Sequence, residues 1–441
     1  MREGGPAASQ VALVRGLGRA DVAALTLNMV GAGIFTLPAA LAAGAGDWSV
    51  PVLLVVIGLV ALMALCLVEV ASRYETTGGP MVYAGAAFGP LAGFVIGWLM
   101  YLSRLSAFGA IAAIMLDYAS GLWPAVDAPV IRVVAITLCV AALTAVNLRS
   151  VVSGARVSTV LAYTKLLPLV ALVTVGLLLT VGTTSLQPLT PVNVDSLGGA
   201  LLVALFACVG FEAPTIMTGE ARSPRRDLPA GILGGVACVG MLYTLLLFVA
   251  MRTVPDLAHA RRPLADAAAT LVGPLGGPIL AVTAMLSCAG TLAMGMVASP
   301  RLLYALAEQG DLPRVLGRVS ANGRTPAPAI LTSAVLVWIL TVSGTFIYLA
   351  TFSALARLLT YASTCAALVA LRRREGPAPT AVPLGTLWAA LALAASAAAL
   401  AATSGTAVRD LAISAGVGLV IRIAVRSRRH AVVAAAGPAV S

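Results

Sequence analysis

Lys165 is the one lysine of this 441-residue chain, and it lies within a segment of apolar residues. The surrounding stretch, VSTVLAYTKLLPLVALVTVGLLL, is long enough to cross a lipid bilayer as a helix. An ammonium group near the bilayer centre costs at least ~2.5–3.5 kcal/mol to insert, so an ionisable residue at that depth is a candidate functional group. The alternatives are a lysine that extends its amine to the membrane surface or one that only pairs with a carbonyl oxygen.

Three further charged residues fall inside apolar segments, and one of them, Glu212, is a candidate functional group. Arg104 and Arg357 are two of them, and Glu212 lies between Gly210 and Pro214. A buried carboxyl group at such a place can gate a pathway or carry a proton. It can equally pair with unwound backbone or with a basic residue, and the sequence leaves both interpretations open.

The cysteines and histidines do not have the spacing of a metal site or of a nucleophile–base pair. The six cysteines are Cys66, Cys139, Cys208, Cys238, Cys288 and Cys365. All fall in apolar segments without a close pair, as expected for small core residues. His259 and His430 fall in a loop and in the carboxyl-terminal tail. A membrane-embedded enzyme, a metal centre and a bound cofactor are therefore not expected.

The composition is that of a membrane protein that crosses the bilayer several times. Hydrophobic residues make up 60% of the chain and charged residues 10%, with a mean hydropathy of +1.00. Soluble proteins are about 45–50% apolar and about 25% charged. Apolar windows predict twelve transmembrane helices, here called spans 1 to 12. They are residues 20–43, 50–72, 90–117, 129–147, 157–181, 198–220, 229–251, 275–306, 327–345, 348–371, 383–402 and 407–426.

The net charge of +11 is distributed unevenly between the two sides of the predicted membrane. With the amino terminus inside, 20 basic residues fall on the cytoplasmic side and 5 on the other side. This bias predicts a protein of the cell membrane with both termini in the cytoplasm. It also accounts for the positive charge without a nucleic-acid partner. The first 20 residues have no cleavable apolar core and are interpreted as a cytoplasmic tail.

Spans 1 and 6 are each interrupted near their middle by residues that weaken a helix. Span 1 contains Gly31, Gly33 and Pro38, and span 6 contains Gly210 and Pro214. Each is the first span of a five-span set. Segments interrupted by glycine and proline at corresponding positions of two halves indicate a transporter site. The alternative is that these residues only aid helix packing.

Three segments resemble transporters of the amino acid–polyamine–organocation (APC) superfamily. GAGIFTLP is similar to their first helix, and LFACVGFEAPTIMTGEARSPRRDLPAGI to their sixth helix and the loop after it. RLLYALAEQGDLPRVLGRVSANGRTPAPAI resembles the end of their eighth helix and the next loop. The resemblance implies an all-α integral membrane protein with a LeuT-like fold. It also implies a secondary transporter, or permease, for an amino acid or related amine, which works by alternating access.

The LeuT-like fold implies two inverted five-helix repeats with broken helices 1 and 6, and two extra helices. The resulting division of the chain is a cytoplasmic tail at 1–19, a first repeat at 20–181, a second repeat at 198–371, helices 11 and 12 at 383–426, and a cytoplasmic tail at 427–441. The implied partners are the small-molecule substrate and the lipid bilayer, and the implied state is a monomer or a homodimer.

The resemblance also implies which residues bind the substrate. The amides of Gly31, Ala32 and Gly33 would bind its α-carboxylate, since the amides that begin a helical segment attract anions. The carbonyl groups that would accept hydrogen bonds from its α-ammonium are those of Met29, Phe206, Ala207 and Val209. Phe206 aligns with an aromatic residue that caps the site and can attract an amine through its ring, or it is a packing residue.

The residues that line the implied site favour a neutral or small amino acid. Where arginine/agmatine exchangers carry a tryptophan, this chain has Gly295. Span 3 offers Ser103, Arg104 and Ser106 and no acidic residue at that level. A fixed cation near the site would repel a cationic side chain.

TKLLPL resembles a proton-dependent branch of the superfamily, in which a lysine of helix 5 replaces the sodium ion between helices 1 and 8. Lys165 is then the coupling residue and the proton the coupling ion. The protonated lysine would bind carbonyl groups of helix 1 and a hydroxyl group of helix 8, such as that of Ser287. The alternative for Ser287 is a hydrogen bond within its own helix. Sodium-coupled symport, exchange of amino acids or polyamines, and a nutrient sensor that does not transport are the alternatives.

Overall fold

A computed structural model describes residues 22, 32–74, 78–149, 152–180, 194–216, 223–320, 325–403 and 405–435. In these ranges the chain folds into α-helices and short 3-10 turns, and contains no β-strand. The all-α prediction is therefore confirmed for the described residues. The description does not cover the surroundings of Met29, Gly31 and His430. It also does not cover the predicted cytoplasmic tail before residue 20.

The α-helices are numbered in chain order. They are α1 (Leu37–Ala45), α2 (Ser49–Ala71), α3 (Pro80–Phe88), α4 (Pro90–Ser120), α5 (Pro129–Arg149), α6 (Val152–Thr180), α7 (Val194–Cys208), α8 (Ala213–Ile216), α9 (Pro224–Thr253), α10 (Pro263–Val272), α11 (Gly276–Glu308), α12 (Ala327–Ser343), α13 (Phe346–Glu375), α14 (Gly385–Ala401) and α15 (Gly405–Ala435). The 3-10 turns are Gly33–Phe35, Gly46–Trp48, Pro124–Asp127, Leu257–His259 and Arg314–Gly317.

Many of these helices can cross a membrane. By length and hydropathy alone, six helical stretches of the described residues are long and apolar enough to cross a membrane. The number is seven if α14 and α15, which meet at 111°, form one bent span. Shorter apolar helices occupy predicted spans 5, 6 and 9. The chain is a multi-pass membrane protein, and the number of twelve spans stays a prediction.

Helix α4 lies at the centre of the molecule. It is the most buried of the candidate spans, and it packs against α3, α11, α12 and α13. Small residues allow this close packing, as in other membrane helices. A Cβ atom at Gly93 of α4, for example, would lie 3.1 Å from the Cα atom of Gly85 in α3. Residues on α4 are therefore positioned to contact several elements at once.

Two short helices, α3 and α10, were not predicted from the sequence. Each begins with a proline in its first turn and ends at a glycine with a positive φ angle, +94° at Gly89 and +84° at Gly273. Each is followed within three residues by a long helix, α4 or α11. The two helices thus occupy the same place in the two predicted repeats, between the second and third spans. With nine or ten residues, both are too short to be detected as spans.

Ion pairs join the helices at one end of the molecule. The Arg372 guanidinium on α13 donates two hydrogen bonds, of 2.5 and 2.6 Å, to the carboxylate of Glu69 on α2. Asp311, just after α11, accepts hydrogen bonds from Arg422 at 2.8 Å and from Arg426 at 2.9 Å, both on α15. This is the arginine-rich end, which the charge bias predicts to face the cytoplasm.

A second ionic network closes over the opposite end. Asp117 at the end of α4 pairs with Arg132 at 2.9 Å and with Arg261 at 3.3 Å, and Arg261 also pairs with Asp127 at 3.0 Å. The hydrogen bond from Arg261 lowers the pKa of Asp127. Arg261 belongs to the segment between α9 and α10, whose turn Leu257–His259 packs against α1. The segment therefore connects α1 with the end of α4 and with the turn Pro124–Asp127.

Candidate functional site

From residue 32 onward, where the description of span 1 resumes, the chain does not start as an α-helix. Ala32 leads into the 3-10 turn Gly33–Phe35, and α1 starts only at Leu37. The turn is buried and held by neighbours, since the Tyr118 hydroxyl on α4 donates a 2.7 Å hydrogen bond to the Phe35 carbonyl. The amides that begin such a segment have no partner within it.

The predicted interruption of span 6 is present. Helix α7 ends at Cys208, and Gly210 takes a φ angle of +118°, a left-handed conformation that glycine adopts without a Cβ clash. Glu212 follows in a turn before the single-turn helix α8. The sequence accounts for this local structure, because Gly210 permits the turn and Pro214 is accepted in the first turn of the helix that restarts.

The two interrupted segments touch each other. A Cβ atom at Gly33 would lie 2.5 Å from the Cα atom and 2.8 Å from the Cβ atom of Ala207 on α7. Gly33 is therefore needed for the close crossing of the two segments, in addition to any contact with a substrate. Of the predicted substrate-binding residues, the structure brings together Gly33 and Ala207, with Ala32, Phe206 and Val209 buried beside them in the chain.

Two phenylalanine rings contact residues that the sequence singled out. The ring of Phe206 meets the ring of Phe346, at the start of α13, edge to face at 6.1 Å between centroids. A Cβ atom at Gly295 of α11 would overlap the ring of Phe108 on α4. Phe108 thus fills the space beside Gly295, the position at which the arginine/agmatine exchangers carry a tryptophan. Phe206 thus has a packing partner in this conformation.

A buried cluster of charges lies directly after the break in span 6. The Glu212 carboxylate accepts hydrogen bonds from Arg357 at 2.8 Å, from Arg104 at 3.5 Å and from the Tyr361 hydroxyl at 2.6 Å. All four residues are at most 7% exposed. The ring of Phe211 stacks on Tyr361 with 4.7 Å between centroids. Helices α4 and α13 and the turn before α8 therefore meet at one carboxylate.

The charges in this cluster do not balance. Two guanidinium groups face one carboxylate, which leaves one positive charge in excess. Arg357 has a further acceptor, the Ser103 hydroxyl at 3.1 Å. Among the described residues, the acceptor of Arg104 is Glu212 alone. These contacts match the structural interpretation of Glu212, in which it pairs with basic residues.

Tyr361 was not identified from the sequence, because a tyrosine in an apolar segment has no pattern that distinguishes it from a packing residue. Its hydroxyl bridges the break, since it donates to Glu212 and accepts from the Gly210 amide at 3.5 Å. Glu212, Arg104 and Arg357 were each identified as charges inside apolar segments. The structure adds that they are partners.

Lys165 is buried on α6. The helices α6 and α11 pack against each other. The hydroxyl of Ser287, the predicted partner, is buried and forms no hydrogen bond within the described ranges. Neither the bond from Lys165 to Ser287 nor a bond within α11 is therefore formed in this conformation.

The described residues contain no group of three or more histidine, cysteine, aspartate or glutamate side chains that could hold a metal ion. The acidic groups inside the membrane region are engaged instead with arginine. Glu212, for example, binds Arg104 and Arg357. The chemistry that the described site offers is thus hydrogen bonding and charge pairing.

Sequence comparison identifies relatives over most of the chain. A profile of amino acid permeases matches residues 17–421. A serine/threonine exchanger of Bacillus subtilis is 27% identical over 332 residues, which cover 70% of this chain and 72% of the exchanger. A cadaverine/lysine antiporter of Escherichia coli is 28% identical over 317 residues, which cover 70% of each chain.

Proposed function

Because the chain belongs to the amino acid permease family, we propose that it is a secondary transporter that carries an amino acid across the cell membrane by alternating access. The observation that carries this proposal is the contact between two interrupted segments, at Gly33 and Ala207, near the middle of spans 1 and 6. Interrupted helices that meet at mid-membrane depth provide unpaired backbone groups for a substrate. An enzyme would instead need a nucleophile–base pair or a metal centre.

The inverted-repeat layout is part of the proposal. The positions of α3 and α10 support it, because both precede the third span of their set and both end at a glycine with a positive φ angle. The first repeat then covers residues 20–181 and the second 198–371. The charge bias of the loops supports a cytoplasmic location for both termini.

In this proposal the substrate binds to backbone groups at the crossing. Its α-carboxylate accepts hydrogen bonds from the amides of Gly31, Ala32 and Gly33. Its α-ammonium donates to freed carbonyl groups in the two broken segments. Those carbonyl groups belong to Met29, Phe206, Ala207 and Val209. Phe206 closes one side of the site through its edge contact with Phe346.

We place the substrate among the neutral or small amino acids. The cluster of Arg104, Arg357 and Glu212 carries one excess positive charge two residues after Gly210. A buried positive charge raises the energy of a second cation nearby, because the low dielectric constant of the interior strengthens repulsion. This argues against a substrate such as the lysine or cadaverine of the Escherichia coli relative. It agrees with the serine and threonine of the Bacillus relative.

Proton coupling through Lys165 completes the proposal. Lys165 is buried where α6 packs on α11, and no other lysine exists in the chain. A protonated amine would hold α6 to neighbouring helices, and loss of its proton would release them. Protonation would thereby bias which side of the transporter is open. In the state that binds the proton, the ammonium group of Lys165 would reach the hydroxyl group of Ser287 on α11.

The decisive experiment is uptake of radiolabelled amino acids into proteoliposomes under an imposed pH gradient without sodium. The wild type is expected to accumulate a neutral amino acid. Lys165→Ala is expected to lose accumulation yet keep counterflow exchange, because the substrate contacts are backbone groups elsewhere. Lys165→Arg is not expected to restore accumulation, since a guanidinium does not release its proton. Leu167→Ala, on the exposed side of the same helix, is the control and should accumulate substrate normally.

Each alternative gives a different result in the same assay. Uptake that requires sodium would establish sodium symport and contradict the role of Lys165. Uptake that requires substrate inside the vesicles would indicate obligate exchange. Absence of flux from wild-type vesicles, with binding retained, would favour a sensor and overturn the transport proposal itself.

A further inference from the structure

A large cavity that the proposed transport mechanism does not use lies at the arginine-rich end of the molecule. Its volume is about 540 Å³. One wall is formed by the end of α11 and the turn Arg314–Gly317, and the other by the last turns of α15. Leu312, Pro313 and Val425 provide its apolar lining. The cavity is thus framed by two helices that emerge from the predicted membrane region.

The polar lining of this cavity is strongly basic. It consists of Arg314, Arg428 and Arg429, opposed by the single acidic residue Glu308. In the described part of the chain, none of the three arginines forms an ion pair with a carboxylate. The guanidinium of Arg429 lies against Gly310, where a Cβ atom would overlap its Nη1 atom. The lining therefore carries two positive charges in excess.

The walls of the cavity are fixed by a buried ion pair. Asp311 is 3% exposed, and its Oδ1 atom accepts hydrogen bonds from Arg422 at 2.8 Å and from Arg426 at 2.9 Å. Arg422 also lies over the ring of Phe94, 5.2 Å from its centroid. These contacts hold α15 beside the end of α11. They also engage the one aspartate nearby, so it does not neutralise the arginines in the cavity.

An apolar strip on α15 leads to the cavity. Ile413, Val417 and Val420 are between 49% and 66% exposed, as expected for residues that face lipid tails. Arg428 lies eleven residues after Val417, which is about three helical turns, so the two residues share one face. A molecule with a charged head and an apolar tail could therefore place its head in the cavity and its tail along α15.

We propose that this cavity binds the phosphate group of an anionic phospholipid. Guanidinium groups bind phosphate oxygens through paired hydrogen bonds, and basic pockets at the cytoplasmic side of membrane helices bind acidic headgroups. The apolar strip of α15 distinguishes a lipid from a soluble phosphate compound. The site is separate from the crossing of the broken helices, and the inference does not depend on which substrate is carried.

The proposal is tested by native mass spectrometry of the detergent-purified protein, titrated with dioleoyl phosphatidylglycerol or with dioleoyl phosphatidylcholine. The wild type should bind the first lipid at least tenfold more tightly. Arg428→Gln and Arg314→Gln, from opposite walls, should each weaken it roughly fivefold, the effect of one basic residue near an anionic headgroup. Arg373→Gln is the matched control, because Arg373 is exposed and does not line the cavity. It should change the affinity less than twofold.

Three results would overturn the proposal. Both lipids contain a phosphate group, so equal affinity would show that the net negative charge of the headgroup is not recognised. An equal loss in Arg373→Gln would show that only the general positive charge of this end matters. Binding of millimolar inorganic phosphate without any phosphatidylglycerol adduct would assign the cavity to a soluble phosphate compound. Two cavity variants are used so that a folding defect in one leaves the other informative.

Discussion

Glu212 engages two guanidinium groups and a phenol hydroxyl with its two carboxylate oxygens. Buried charges are stable only when paired and hydrogen-bonded, and removal of one partner leaves the others uncompensated. The sequence could identify Glu212, Arg104 and Arg357 singly, since a charge in an apolar segment is conspicuous. It could not identify them as one cluster, because that depends on which faces of three distant helices meet.

We expect Glu212→Gln to destabilise the protein by ~3–5 kcal/mol, because two buried arginines would share a neutral amide. The measurement is the midpoint of thermal unfolding, followed by size-exclusion chromatography in detergent. Asp127→Asn is the control, since its ion pair with Arg261 is about half exposed and worth little. An unchanged midpoint together with a shifted pH profile of transport would contradict this role and make Glu212 a titrating gate.

At the scale of elements, the interrupted segments were predictable and their contact was not. Glycine and proline within spans 1 and 6 reveal the interruptions, because these residues weaken helices wherever they occur. To predict that Gly33 crosses over Ala207, one would need the relative register of two segments that are more than 170 residues apart in the chain. The short helices α3 and α10 were not predictable in this way, because nine or ten residues give no signal in a window long enough to span a membrane.

We expect Gly33→Ala to cost ~1–3 kcal/mol of stability, because its Cβ atom would overlap the backbone of Ala207 and force the segments apart. Gly58→Ala in α2 is the matched control, since nothing lies within 4 Å of the added Cβ atom. The same thermal assay measures both variants. If Gly33→Ala unfolds no earlier than Gly58→Ala, the close crossing does not exist in the protein.

At the scale of the whole molecule, ionic networks gather at the two ends. The network of Arg261 covers one end, and Glu69 and Asp311 join helices at the other. The charge bias of the sequence predicted which end would be rich in arginine. It gave no indication that the segment between α9 and α10 would reach Asp117 and Asp127, since loop conformations have no periodic pattern.

We expect Arg261→Gln to free the segment between α9 and α10 and to increase its amide hydrogen exchange. Arg261 lowers the pKa of Asp127, so the ion pair is present above the usual pKa of aspartate and is lost only as the pH falls through the lowered value. The loss of protection relative to wild type, after correction for the pH dependence of intrinsic amide exchange, should therefore be equal at pH 7 and pH 5. Arg409→Gln, which removes an exposed pair with Asp410, is the control. Equal exchange in all three proteins would show that Arg261 does not restrain the segment.

The single buried lysine has a practical consequence for experiments on this chain. An amine-reactive reagent has only two targets, the amino terminus and Lys165, and peptide mass fingerprinting separates them. Lys165 is 4% exposed, so it should react only when the helices around it separate and admit water. The rate of modification at that one nitrogen would then measure, without any engineered probe, how often the interior of the molecule opens.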